Sequence, residues 1–267
     1  MNAIDIEKII AESEEELSAQ FKALEKIAYS NQCRVMEAFQ KSKIALRHFA
    51  ASSGYGYGDE GRDTLNALFA DIFGAEAALV SPNILSGTHA LTVGLFGLLR
   101  TGDTLFSVSG NPYDTLQEVI GGKDIGSLAD FGISFKKCEL KNGDFDTDAI
   151  REGLSDRSVK VVFIQRSRGY EWRDALSEEK IRKICSFVRS CGFTGCIFVD
   201  NCYGEFVETS EPTQNGADIC VGSLIKNPGG GIAPTGGYIV GKREYVDKIA
   251  GRLTAPSIGA EVGSYAY

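Results

Sequence analysis

Four short stretches carry residue types whose chemistry asks for a partner. In "VDNCYGEF", residues 199–206, Asp200 ends an apolar run, Gly195 to Val199, that reads as a buried strand. A carboxylate aimed from a strand end can hold a proton on a heteroaromatic nitrogen; it can equally cap a turn or pair with an arginine. Lys226 in "GSLIKNPGGG" follows another apolar strand and precedes Asn-Pro-Gly-Gly-Gly, an uncommon setting for a solvated charge. Partial desolvation lowers a lysine pKa and suits the amine to forming a Schiff base. Ser86, Gly87 and Thr88 open an apolar helix, and free backbone N–H groups beside two hydroxyls and a glycine make a phosphate cradle. Ser86 is also an ordinary N-cap residue. Tyr113, after Pro112, offers an aromatic plate, or is a turn tyrosine.

These residues must be held by the elements around them. Apolar runs "AALVS", "TLFSVS", "ISFKKCEL", "VKVVFIQ", "GCIFVD", "DICVGS" and "GYIVG" read as strands, with helices near 86–99, 112–120 and 177–190 between several of them. Alternation of this kind implies an α/β domain with a mostly parallel sheet, whose ligands gather outside the carboxyl ends of the strands. The strand ends supply an anion cradle, an aromatic plate, a carboxylate and an amine, which are the parts that pyridoxal phosphate requires. Before the sheet, residues 5–45 place Ile6, Ile9, Ile10, Leu17, Phe21, Leu24 and Ile27 at helical spacing, with acids early and bases later, so a helical arm is expected over 1–50 and the main domain over 51–267.

The set "GAEAALVSPNILSGTHA", "NPYDT", "FVDNCYGEF" and "GSLIKNPGGG…TGGYIVG" resembles the fold-type-I pyridoxal-phosphate enzymes of Cys/Met metabolism. Within them it looks most like the methionine γ-lyase-like family, also labelled aluminium-resistance protein or cystathionine β-lyase-like. The resemblance implies a large domain of that fold, with a mostly parallel seven-stranded sheet, helices on both faces and a helical N-terminal arm. It implies that Lys226 forms the Schiff base and then acts as acid and base, that Asp200 pairs with the pyridine nitrogen, and that Tyr113 stacks on the ring and helps in proton transfer. Ser86, Gly87, Thr88 and Ser223 would hold the phosphate.

The chain departs from the wider group at two places. Where relatives carry Tyr-x-Arg reaching the neighbouring subunit's phosphate, this chain has "YGYGDEGR": Tyr55 is the candidate, Tyr57 replaces the arginine, and Arg62 is a candidate for its charge. The family's small C-terminal domain, with the arginine for the substrate carboxylate, is expected to be missing, since the chain stops at Tyr267. "QRSRGYEWR" gathers Arg166, Arg168 and Arg173 with Tyr170 and Trp172 beside a strand end, either lining the substrate side of the ring or bridging subunits. His89 reads as a packed helix residue.

With 36 acidic against 28 basic residues and a formal charge of −8, the chain has no general field for nucleic acid, and no run approaches a membrane span. Seven cysteines without a C-x-x-C pair read as reduced, mostly structural thiols, and with two histidines they make no metal-binding spacing. A cytoplasmic homodimer or homotetramer acting on an amino acid is expected, as a pyridoxal-phosphate-dependent carbon–sulfur lyase working by β- or γ-elimination. An aldolase on the same cofactor, and a non-catalytic binding protein that keeps the fold, are the alternatives.

Overall fold

The computed structural model describes residues 5–263; the expectation about the chain end at Tyr267 lies outside them. The arm is two helices, α1 (Ile6–Glu16) and α2 (Ser18–Lys41), divided at Leu17. Asp5 starts α1 by accepting from the Lys8 amide at 3.1 Å, yet α1 buries no residue. The apolar positions at the arm's start, Ile6, Ile9, Ile10, Phe21 and Leu24, are exposed. Further on, α2 turns inward at Asn31 and Ala38.

Helix α3 (Glu60–Phe73) begins where Asp59 accepts from the Arg62 amide and ends at Gly74, whose φ of 62° a side chain would strain. Then come β1 (Ala77–Ser81), α4 (Gly87–Leu98), β2 (Thr104–Ser107), α5 (Asp114–Gly121) and β3 (Ser134–Lys137). A small hairpin of β4 (Leu140–Lys141) and β5 (Asp144–Phe145) follows, so the expected strand "ISFKKCEL" divides between β3 and this hairpin. The chain continues through α6 (Thr147–Leu154), β6 (Val159–Gln165), α7 (Glu178–Ser190), β7 (Cys196–Asp200), β8 (Ile219–Ser223), β9 (Gly237–Gly241) and α8 (Arg243–Leu253).

Seven strands form one sheet in the order β1-β9-β8-β7-β6-β2-β3. Strand β9 runs antiparallel to β1 and β8, and the remaining pairs are parallel. Because side chains alternate along a strand, each central strand feeds two cores. Val161 and Phe163 of β6, Cys196 and Phe198 of β7, and Ile219 and Val221 of β8 join α4, α5 and α8 on one face. The alternate residues Val162, Ile164, Ile197 and Val199 meet α6 and α7 on the other. Farther along that second face, Cys220, Tyr238 and Val240 meet α2 and α3. Gly94 of α4 lies so close to β7 that an added Cβ would stand 2.8 Å from Phe198 Cζ, so the helix seats directly on the sheet. The fold is thus α/β with a mostly parallel seven-stranded sheet covered on both faces.

Candidate active site

Strand parity places the chemistry. Gln165, Asp200 and Ser223 end β6, β7 and β8 and share the parity of Phe163, Phe198 and Val221, so all three belong to the face that carries α4. Gln165 and Asp200 are register partners. All three are buried, with Asp200 only 1% exposed and Ser223 fully enclosed. Helix α4 starts at the same edge, with Ser86 as N-cap accepting from the His89 amide at 3.1 Å. The capping role leaves the Ser86 hydroxyl proton free to donate outward. His89 turns its Nδ1 back to accept from the Leu85 amide, as a packed helix residue does.

Gly87 is the point on which the site converges. A Cβ there would meet Cys202 Sγ at 3.0 Å, Ser223 Cβ at 3.3 Å and Lys226 Nζ at 3.7 Å. A side chain would be tight among these groups, so glycine lets the start of the α4 backbone approach them closely. Ser223 Oγ is buried without a hydrogen-bond partner among the described residues. Buried hydroxyls are nearly always paired, so this one marks a place for an acceptor.

Asp200 accepts from the Cys202 amide at 3.0 Å and pairs with no arginine among the described residues. Burial pushes its pKa up, while the Cys202 hydrogen bonds and the Lys226 charge draw it back. Lys226 departs from expectation. Burial alone would depress its ammonium, but Cys202, Tyr203 and Asp200 outweigh burial, and its pKa stands above the ordinary value. Burial holds the Cys202 thiol itself well above its usual range. Tyr113 Oη lies 2.9 Å from Thr88 Oγ1, and its backbone N–H donates to Gln165 Oε1 at 2.8 Å. Burial raises the Tyr113 phenol, which therefore keeps its proton through the neutral range.

Residues 6–267 match the methionine γ-lyase family. The chain belongs to that family. It is 46% identical over 266 residues to the uncharacterised Bacillus subtilis protein YnbB, covering 98% of this chain and 63% of YnbB. A Listeria monocytogenes structure, named provisionally as a cystathionine β-lyase involved in aluminium resistance, superposes with a TM-score of 0.95 at 47% identity over 98% of this chain and 67% of that one. A carbon–sulfur lyase involved in aluminium resistance from Clostridium novyi gives 0.92 at 48% identity, covering 96% of this chain and 62% of that one. The chain therefore spans somewhat under two thirds of YnbB and of the Clostridium protein. Its architecture is that of the fold-type-I pyridoxal-phosphate enzymes.

Within this member of the methionine γ-lyase family, Ser86, Gly87, Thr88, Tyr113, Asp200, Ser223 and Lys226 gather at one edge of the sheet, and Tyr55 does not join them. Tyr55 is exposed on the loop before α3, its ring 6.0 Å from that of Tyr57. Arg62 is buried and spent inside its own chain, donating to the Gly56 and Gly263 carbonyls and to Asp63, so it is not free to carry charge to another subunit. Arg166 is likewise enclosed, held by Glu178 at 2.7 Å and Glu208 at 2.9 Å while donating to Asn201 and the Gly204 carbonyl. Arg173 donates to the carbonyls of Gln165, Ser167 and Asp174, whereas Arg168, Tyr170 and Trp172 are exposed.

Three residues of the site do not follow from motif reading. Cys202 packs against Gly87 and Lys226 instead of serving as a core hydrophobe; its place two residues past the strand-end acid was the available signal. Gln165 ends a strand as Asp200 does. Tyr203 lies against Lys226, whose Nζ is 4.2 Å from the ring centroid.

Proposed function

We propose that this chain forms the pyridoxal-phosphate-binding part of a carbon–sulfur lyase that acts on a sulfur amino acid by β- or γ-elimination. The observation that carries the reading is the convergence on Gly87 of the Lys226 amine and of Ser223, whose buried hydroxyl has no partner among the described residues, with Asp200 buried close enough to influence the charge of the amine. Family membership and the Clostridium lyase support the reaction class.

In this reading the first N–H groups of α4, with Ser86, Thr88 and Ser223, hold the phosphate. Asp200 holds a proton on the pyridine nitrogen, and burial keeps water from competing for its oxygens. Pyridoxal phosphate, once its bond to Lys226 has been exchanged for one to the substrate amine, would withdraw electrons from the substrate Cα and so acidify its proton. The Lys226 amine, free after that exchange, would take that proton, and the Tyr113 phenol, hydrogen-bonded to Thr88, would donate one to the departing sulfur. Tyr55, exposed and unattached to this cluster, is assigned to the phosphate of a second subunit in a homodimer.

The test is the visible spectrum of the protein mixed with pyridoxal phosphate, before and after borohydride, alongside Lys226→Ala. A yellow band that borohydride bleaches and the folded variant lacks is expected. Absence of the band from the folded wild-type protein would refute the cofactor assignment. Incubation with methionine, cystathionine, cysteine and threonine then assigns the reaction: thiol and ammonia from the sulfur amino acids are expected, and glycine from threonine alone would replace the lyase with an aldolase.

A further inference from the structure

Tyr203 has an unusual backbone for a bulky residue. Its φ of 69° lies in the left-handed region, where a non-glycine side chain is strained unless its surroundings over-determine it. The surroundings here do so. The turn 201–206 is tied down at nearly every residue: the Cys202 N–H donates to Asp200, and Arg166 donates to Asn201 Oδ1 and to the Gly204 carbonyl. Asn227 donates to the Glu205 carbonyl at 2.9 Å, the Phe206 N–H to Glu211, and Asn31 to the Phe206 carbonyl. Gly204 must be glycine, because a Cβ would stand 2.5 Å from Asn201 Oδ1 and 2.6 Å from Arg166 Cδ.

All this restraint presents one aromatic face to one amine. Asn227, which clamps the turn, is the residue after Lys226, so the tyrosine and the lysine are fixed to each other from both sides. The residue is 62% exposed, so packing into the core does not explain the placement of its ring. We infer that Tyr203 is a positioning residue for Lys226: its ring face, locked by the left-handed turn, holds the amine at the mouth of the site and favours its charged form. Attraction of an ammonium to an aromatic face depends on the ring and not on the phenol hydroxyl.

The inference deepens the reading of Lys226 as the cofactor lysine, but its test needs no cofactor. The cofactor-free protein is labelled with an amine-acetylating reagent across pH 7 to 11, and the midpoint for Lys226 is read by peptide mass spectrometry. Lys242, paired with Asp218 at 2.8 Å on another part of the sheet, serves as the internal control. Tyr203→Phe keeps the ring and should lower the midpoint less than the ring-less variants do, by no more than the loss of the phenol oxygen accounts for. Tyr203→Leu and Tyr203→Asn should lower it by about 0.4 to 1.5 pH units, the range that loss of a cation–π contact implies. Asparagine tolerates the left-handed backbone, so that variant carries the test if the leucine variant does not fold. Unchanged midpoints in both ring-less variants would overturn the inference, as would an equal fall in Tyr203→Phe. A missing cofactor band would refute the function proposed above while leaving this measurement valid.

Discussion

Replacing Ser223 with alanine should strengthen the empty protein and weaken the loaded one. The hydroxyl is fully enclosed at the end of β8 and has no partner among the described residues, while the Ser223 Cβ packs 3.3 Å from where a Gly87 Cβ would stand. An unsatisfied buried hydroxyl costs roughly 1–3 kcal/mol in desolvation. Deleting one oxygen leaves only a small void, so a net gain of about 1 kcal/mol is expected for the cofactor-free protein. If the same oxygen donates to a phosphate, its loss removes a hydrogen bond to a charged group worth about 1.5–3 kcal/mol, or roughly ten- to a hundredfold in pyridoxal-phosphate affinity.

The two effects reverse the order of stability. At a cofactor concentration of about 100 times the wild-type Kd, binding stabilises the wild type by about 2.7 kcal/mol. The variant then gains only about 0.4–1.4 kcal/mol from the cofactor, to add to its advantage of about 1. Wild type should therefore be the less stable protein without pyridoxal phosphate and the more stable with it. Urea unfolding with and without cofactor, together with a fluorescence titration, reads both quantities. A variant that is destabilised when empty and binds cofactor as the wild type does would refute the argument, since the hydroxyl would then be a structural group with a partner of its own.

Two further outcomes follow from the packing behind the site. Gly94→Ala forces a methyl to within 2.8 Å of Phe198 Cζ, an overpacking that should cost about 1–3 kcal/mol in urea unfolding and move α4, lowering cofactor affinity as well. Glu205 is buried, and desolvation first, then Glu211 and Asp200, push its pKa up to about 8. An acid whose folded pKa is raised binds its proton more tightly when folded, so its contribution is full below the unfolded value and is lost as pH rises to about 8. Stability should thus fall between pH 5 and 8, with Glu205 contributing at most about 1.4 kcal/mol per pH unit. Glu205→Gln should flatten that slope, and an unchanged slope would remove Glu205 from the titration.

The strand-end rule is why much of the site is legible in the sequence. Asp200, Ser223 and the Ser86 turn can be found because a parallel sheet delivers the carboxyl ends of its strands to one edge, and each apolar run announces where its strand stops. Helix α3 is legible in principle, since Leu65, Leu68, Phe69 and Ile72 recur at helical spacing. Other features have no local signature. Arg62 is consumed by the Gly263 carbonyl far along the chain, so its motif position suggests a free charge that the tertiary structure removes. Cys202 looks like any small apolar residue until Gly87 and Lys226 are brought against it. Lys226 shows the same limit in its charge: partial burial is readable, but the groups that outweigh burial arrive from a turn whose path depends on Arg166, Asn31 and Glu211.

That turn also joins the two faces of the sheet. Asp200 points toward α4, while Asn201, next in the chain, joins the opposite side, where its amide donates to Glu211 Oε2 and accepts from Arg166. Tyr238 donates to Glu205 Oε1 at 2.8 Å on that side, and Glu205 Oε2 is left without a partner. An ionised carboxylate in this position would stand against both Asp200 and Glu211, and relief comes most cheaply from a proton. A neutral Glu205 leaves the negative charge behind the sheet on Glu211, which Arg34 approaches at 3.3 Å. Of the carboxylates, Asp200 is then the one that acts on Lys226, beside Cys202 and Tyr203, and it is the one that the proposed chemistry requires to be ionised. Protonating Glu205 therefore removes one negative charge that would oppose the ionisation of Asp200.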